Sequence, residues 1–271
     1  AYQVKIDGNY EVVFRERLNG VWSEAVNVTN TPKGGSQSAS ILVDRNTNDF
    51  YIIWQDDFER PQDAAVYWKG YLAYRDKGAG PWIFSGVIAD PTNRCYFHVA
   101  DIDAAGKVYT TFDNRSSVKG AVIQFAQNPT PKIHTAWSKP LRVSDFTAVS
   151  FSYSKMAVDN DGNVHAVWTQ NVEQNDLDNL EVFYRKRVKG VWRAIENLSN
   201  STAPSTTPTI AVNRKTGQAF VAWSEQTGAA ENIKEIFFRE STAAGWTTIR
   251  NMSQDPGFSD YPSLYVDKVG G

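Results

Sequence analysis

Glu181-Val-Phe-Tyr-Arg185-Lys-Arg-Val-Lys-Gly-Val-Trp192, followed by Asn197-Leu-Ser199, is a segment that the chain repeats. It stands earlier as Glu11-Val-Val-Phe-Arg15 through Trp22 to Asn27-Val-Thr29, and later as Glu235-Ile-Phe-Phe-Arg239 through Trp246 to Asn251-Met-Ser253. Weaker copies are Tyr71-Leu-Ala-Tyr-Arg75 with Trp82, and Val122-Ile-Gln-Phe125 with Trp137. The marker tryptophans are spaced by 60, 55, 55 and 54 residues, close to one fifth of the 271-residue chain. A period of this size is the signature of a repeat architecture, so five units account for the sequence.

Each unit holds four short runs with strand character, rich in β-branched and aromatic residues. In chain order they are called A to D. The A runs include Ser40-Ile-Leu-Val-Asp44, Lys155-Met-Ala-Val-Asp159, Thr209-Ile-Ala-Val-Asn213 and Ser263-Leu-Tyr-Val-Asp267. The B runs include Phe50-Tyr-Ile-Ile-Trp54, Val164-His-Ala-Val-Trp168 and Ala219-Phe-Val-Ala-Trp223. The C run is the Glu-Val-Phe-Tyr-Arg segment, and D carries the marker tryptophan. Asp, Asn and Gly between A and B, as in Asp159-Asn-Asp-Gly-Asn163, suit tight hairpins that need positive φ.

The last A run has no B run after it, whereas Ala1-Tyr-Gln-Val-Lys-Ile6 has the B pattern and leads into the C run at Glu11. The expectation is therefore an all-β, five-bladed β-propeller with four antiparallel strands per blade, its ring closed by pairing residues 1–6 with residues near 261–267. A small four-stranded sheet cannot bury both faces alone, and a ring of them packs face on face. The whole chain is expected to form one domain. Its first blade is shared between 1–30 and 257–271, and the others span about 36–90, 94–143, 148–199 and 205–253.

Composition narrows the function classes. A net charge of -2 and a pI near 6.0 give no basic footprint for nucleic acid. No apolar run reaches the ~18 residues of a membrane span, so membrane insertion is not expected. The start at Ala1 fits a processed or shortened chain, and a monomer is expected. A single cysteine, Cys95, rules out an internal disulfide and reads as a small buried hydrophobe. His98, His134 and His165 lack the spacing of a zinc site. No resident cofactor is expected, with calcium held open.

The repeats resemble the sialidase-like, Asp-box (BNR-type) bacterial propeller repeats, in the valine-rich A run, the aromatic end of B, the C run and the glycine-tryptophan pair. The Asp-box is reduced here to Asn19-Gly-Val-Trp22, Lys189-Gly-Val-Trp192 and Ala244-Gly-Trp246. Such repeats occur in glycosidases, lectins and surface proteins, so the resemblance implies a secreted, cell-surface or periplasmic protein that recognises carbohydrate.

Propeller ligands meet the D-to-A and B-to-C loops. Two residues beyond the aromatic end of B stand Asp7, Asp56, Asn114, Gln170 and Glu225, a near-ring of oxygens that either binds sugar hydroxyls or a hard cation, or caps strand ends. Departures from the repeat are more informative. Arg94, Asp113 and Arg115 cluster in the third unit and suit an acidic ligand, or ordinary loop ion pairs. The long loop Gln55-Asp-Asp-Phe-Glu-Arg-Pro-Gln-Asp63 brings Asp56, Asp57 and Glu59 together; with Glu225, Asp57 is the candidate for a glycosidase carboxylate pair, against a solvated loop. Tyr96, Phe97, Tyr153 and Tyr261 offer faces for sugar stacking or for rim packing. Trp22, Trp82, Trp137, Trp192 and Trp246 read as packing between blades, and Arg15, Arg75, Arg185 and Arg239 as structural. The sequons at Asn27, Asn197 and Asn251 share one repeat position and read as a strand-end turn. The reading is a non-catalytic, carbohydrate-binding propeller; a glycoside hydrolase and a protein-interaction scaffold are the alternatives.

Overall fold

The computed structural model describes residues 1–31, 33–58, 68–88, 95–117, 120–145, 150–172, 179–228, 233–254 and 257–267. Among these residues the chain is all-β, broken only by single 3-10 turns at Asp76–Gly78 and His134–Ala136. It divides into two compact units, one of residues 1–116 with 126–141 and one of residues 117–125 with 142–271.

The first unit holds the sheet of Tyr2–Ile6, Asn9–Phe14 and Val26–Asn27 and the hairpin of Arg17–Leu18 with Val21–Trp22. It also holds the four-stranded meander Gln37–Val43, Phe50–Asp56, Lys69–Arg75 and Ile83–Val87, and the A–B pair Cys95–Ile102 with Val108–Ser117. The second unit holds the meander Ser150–Val158, Val164–Asn171, Leu180–Val188 and Val191–Asn197. After it come Ser205–Val212, Ala219–Gln226 and Lys234–Thr242, the last pairing with Gly245–Trp246 and Arg250–Asn251. Every described ladder between strands is antiparallel, and all follow the A-B-C-D order read from the repeat except one, the Ala121–Ser150 pairing that joins the C strand Gly120–Asn128 to the next A strand.

The repeated residues hold these sheets. Trp54, Trp168 and Trp223 at the end of B are almost fully buried, each removing apolar area worth about 2–3 kcal/mol from water. Three markers pack edge-on against the C-run aromatic of the preceding blade: Trp82 on Phe14 (5.2 Å), Trp192 on Phe125 (5.4 Å) and Trp246 on Tyr184 (4.8 Å). Trp137 joins the core with Leu42, Tyr51 and Leu72. Trp22 is 57% exposed, with the Arg15 guanidinium over its ring, and the edge-on packing of the other markers is not seen for it among the described residues.

Between blades the backbone supplies the fastening. At the start of three of the A runs an N–H donates to a carbonyl at the start of the previous C strand: Ser36 to Tyr10 (2.8 Å), Cys95 to Trp68 (3.0 Å) and Ser259 to Lys234 (2.9 Å). The C-run arginines add a second tie. Arg185 donates from Nε to the Arg193 carbonyl of its own blade and from Nη1 to the Val143 carbonyl of the blade before; Arg239 does the same with Thr247 and Leu198.

At the two ends of the chain the pairing differs from the expectation. Tyr2–Ile6 pairs with Asn9–Phe14, whereas residues 259–267 form no strand, and the ring-closing ladder is not among the described pairings. Every other A run is followed by its B partner; this one is not.

Each A strand is entered through a bulge. The register shifts between Gln37 and Ser40, Tyr96 and Val99, Phe151 and Lys155, and Thr206 and Thr209. Within or at the matching place stand Ser38, Phe97, Thr207 and Tyr261, all with φ between 50° and 56°. Side chains rarely occupy that region, so the blade geometry imposes it.

One departure from the repeat explains another. Gly70 takes the place that Val12, Val182 and Ile236 hold in other blades, judged by the shared hydrogen bond from the D strand to its carbonyl. The vacated volume is filled by His98, which is buried and stacks on Phe112 at 4.9 Å, and burial pushes its pKa down to about 3. A Cβ on Gly70 would sit 2.3 Å from His98 Cε1. Gly70→Ala should cost about 2–3 kcal/mol in chemical denaturation, and much less in a His98→Ala background; equal costs in both backgrounds would show that His98 is not what Gly70 accommodates.

Candidate functional site

Strand register decides which side chains share a level at the end of the B strands. Asp56 lies one step beyond the Gln37–Gln55 pair, and Asn114, Gln170 and Glu225 lie opposite Cys95, Ser150 and Ser205. In the first blade the same level is Val4, because Val4 faces Glu11 as Gln170 faces Glu181 and Glu225 faces Glu235. Asp7, placed in the ring by spacing, sits instead in the following turn at φ 48°. A hairpin sets register, and counting from an aromatic residue misses it.

These oxygens bind their own blades. The Asp56 carboxylate, fully buried, accepts from the Ser36 hydroxyl and from the Phe58 N–H at 2.9 Å. Gln170 Oε1 accepts from the Trp168 indole N–H at 3.0 Å. Glu225 accepts from the Trp223 indole (3.0 Å), Ser205 Oγ (3.1 Å) and Ser201 Oγ (2.9 Å). Asp56 is one methylene shorter, and among the described residues the Trp54 indole N–H has no hydrogen-bond partner. Burial raises the Asp56 carboxyl above its ordinary pKa, against the Ser36 hydroxyl and the Phe58 N–H, which lower it.

A second level of carboxylates opens the C strands. Glu11 accepts from the Thr29 and Thr31 hydroxyls, Glu181 from the Ser199 hydroxyl and Ser201 N–H, and Glu235 from the Ser253 hydroxyl. The same Thr29, Ser199 and Ser253 hydroxyls accept from the N–H groups of Val12, Val182 and Ile236. Asn27, Asn197 and Asn251 accept from the N–H three residues on. The Asn-x-Ser/Thr repeat is thus a strand-end clamp. Ser201 joins the two levels, its N–H 2.8 Å from Glu181 Oε1 and its hydroxyl on Glu225. Burial and then the Glu225 charge raise the Glu181 carboxyl, and the Ser199 and Ser201 hydrogen bonds oppose them.

The other face of the same B strand carries a cluster that spacing did not reveal. Asp260 accepts from Ser224 Oγ (2.6 Å), Thr207 Oγ1 (2.7 Å), its neighbour's N–H at Tyr261 (2.8 Å) and Lys234 Nζ (3.1 Å). Lys234 also lies over the Phe258 ring at 5.8 Å. Tyr261 follows directly, held at φ 56° with 72% of its surface exposed. The available signal was a departure from the repeat: Asp260 matches Thr206 in the preceding blade.

Asp57, in the first unit, accepts from the Gly35 N–H at 2.9 Å, and Glu225 is in the second unit. Asp113 is buried opposite Tyr96. Arg94 and Glu59 lie outside the described residues, as do the side chains of Arg115 and Tyr153. Among the described residues no three His, Cys, Asp or Glu side chains gather as a metal would require, and no helix is long and apolar enough to cross a membrane.

Burial alone would raise the Asp260 carboxyl, but the hydroxyls of Ser224 and Thr207, the Tyr261 N–H and the Lys234 ammonium outweigh it and hold its pKa below 3.8. A carboxyl lowered by folding stabilises above its unfolded pKa and loses that contribution as pH falls through the folded one. Asp260→Asn should lower stability at pH 7 by roughly 1–3 kcal/mol, and the gap from wild type should close in thermal melts taken below pH 3.8. A gap unchanged at low pH would mean that the cluster does not act through the carboxylate.

No family model matches the sequence, and no curated protein sequence matches it. Solved structures do match in fold. An ulvan lyase of a polysaccharide lyase family, solved bound to a GlcA–Rha3S repeat, has a TM-score of 0.63 at 11% identity over 95% of this chain and 72% of its own. The Hadza microbial sialidase has a TM-score of 0.55 at 10% identity over 93% of this chain and 53% of its own. The family GH93 α-L-arabinofuranosidase of Fusarium graminearum has a TM-score of 0.54 at 10% identity over 82% of this chain and 67% of its own. The chain thus has the fold of the sialidase-like propellers, at identities that speak to architecture alone.

Proposed function

We propose that the protein is a carbohydrate-binding propeller that works without catalysis, as a secreted or surface-exposed monomer. The observation that carries this reading is Tyr261, an aromatic face 72% exposed on a strained backbone beside the fixed Asp260–Lys234 pair. An aromatic ring with a rigid polar neighbour is how proteins hold a sugar: stacking on the ring, hydrogen bonds at its edge. The names of the fold neighbours, which act on polysaccharides and glycosides, support the ligand class. Asp56, Gln170 and Glu225 bind their own blades, which supports a scaffold role for the ring of oxygens. Asp113 with Arg94 and Arg115, and Tyr153 in the matching place of the fourth blade, remain proposed ligand contacts, and calcium a proposed accessory.

One observation favours the hydrolase alternative. Glu181 and Glu225 share Ser201, and one of them is raised by burial, the pattern of an acid and base pair. Asp57 is the third carboxylate in that reading. A glycan array with and without calcium, run beside a polysaccharide hydrolysis panel, separates the readings. Tyr261→Ala should weaken glycan binding at least ~10-fold, equal to 1.4 kcal/mol. Turnover that disappears in Glu225→Gln would replace the lectin with the enzyme; neither binding nor turnover would leave the scaffold.

We further propose five blades in one domain, closed between the chain's ends. Carrying the register of the other blades across puts Val4 opposite Ser259. A Val4→Cys/Ser259→Cys pair should then form a disulfide under mild oxidation without dimerising, seen as a faster band on non-reducing gels; purely intermolecular crosslinks would reject closure.

A further inference from the structure

At the opposite end of the strands from Tyr261, the second unit has an open groove of about 680 Å³ between the blade of Leu180–Val188 and that of Lys234–Thr242. Its walls include Tyr184, Lys186, Arg193, Glu196, Gln218 and Trp246. We propose that this groove binds an anionic saccharide, one bearing carboxylate or sulfate groups, as a site separate from the Tyr261 region and independent of the reading given to it.

The argument begins with a charge reversal within the repeat. In the first blade Glu16 donates its N–H to the Ser23 hydroxyl (3.1 Å) and its carbonyl accepts from the Ser23 N–H (2.8 Å). Glu240 and Thr247 repeat the clamp in the last blade, at 3.2 Å and 3.0 Å. The matching residues in the fourth blade are Lys186 and Arg193, placed by the Arg185 Nε bond to the Arg193 carbonyl, which equals the Arg15 bond to Ser23 and the Arg239 bond to Thr247. A carboxylate and a hydroxyl have become two cations. The blade architecture does not require this, because two other blades are built with the acid and the hydroxyl.

Both cations line the groove, and among the described residues neither has a carboxylate within ion-pair distance. A Cβ on Gly217 would sit 3.0 Å from Asp159 Oδ2 and 3.7 Å from Lys186 Nζ; the Asp159 carboxylate on that side already accepts from the Asn163 N–H and side-chain amide. Glu196, the acid on the wall, accepts from the Trp246 indole N–H at 3.1 Å, which fixes the indole in place. Trp246 in turn packs edge-on against Tyr184, whose hydroxyl is held 2.8 Å from His165 Nδ1. The groove therefore combines a fixed aromatic wall, for the apolar face of a pyranose, with two cations that suit its acidic substituents.

The test uses the whole chain and three probes: oligogalacturonate, a sulfated oligosaccharide, and a neutral oligosaccharide of equal length, each titrated by calorimetry at low and moderate salt. At least one acidic probe should bind more tightly than the neutral one, and weaken as salt rises. Lys186→Glu with Arg193→Ser restores what the first blade carries, so it should fold, and should weaken acidic binding at least ~10-fold. The same titrations are run in a Tyr261→Ala background, which removes any binding at that region from the readout and so separates failure of the groove from failure of the Tyr261 reading. Equal affinity for acidic and neutral probes, no binding of any probe, or acidic binding that survives the double substitution would each overturn the proposal.

Discussion

The fold rests on a hydrogen bond that links one blade to the next: the N–H at the mouth of an A strand donating to the carbonyl that begins the C strand before it. Ser36 to Tyr10, Cys95 to Trp68 and Ser259 to Lys234 are the same bond in different surroundings. Because it is made by the backbone, the side chains around it can diverge while the spacing between sheets holds. The arginine ties of Arg185 and Arg239 and the edge-on tryptophans then fasten the opposite end and the middle of the same contact. A sheet of this size has two apolar faces and too little of its own volume to bury either, so stability resides in these contacts between blades.

The repeated polar residues serve the same end. Buried carboxylates at two levels are held by serine and threonine hydroxyls and by indole N–H groups, so that each acid at a strand end answers donors that the ladder leaves over. That is why the acids repeated best make weak candidates for chemistry, and why residues that occur once, such as Asp260, Lys186 and Arg193, carry the functional proposals.

The blades were legible because the features that build them are local: strand runs, glycine turns and a tryptophan at a fixed distance from an arginine. Contacts between distant positions were not. Gly70 and His98 belong to different blades, and nothing in either segment announces that one is small so that the other fits. Asp7 was misplaced by spacing, because a tight turn moved the level of the ring to Val4. Tyr261 was visible as an aromatic near an A run, but its positive φ and the four donors gathered on Asp260 belong to geometry.

The bulge ahead of each A strand has a wider consequence. A residue in a regular strand is committed to one face, and exchanging it disturbs the packing on that face. At Ser38, Phe97 and Thr207 the chain steps out of that alternation while the ladder resumes two residues later, and Tyr261 has the same backbone at the matching place. Hydroxyl, phenyl and phenol have been accepted there on one backbone. Each of these places is thus a socket whose occupant can be exchanged without a new core, so the side chains presented there are set apart from the packing that holds the fold.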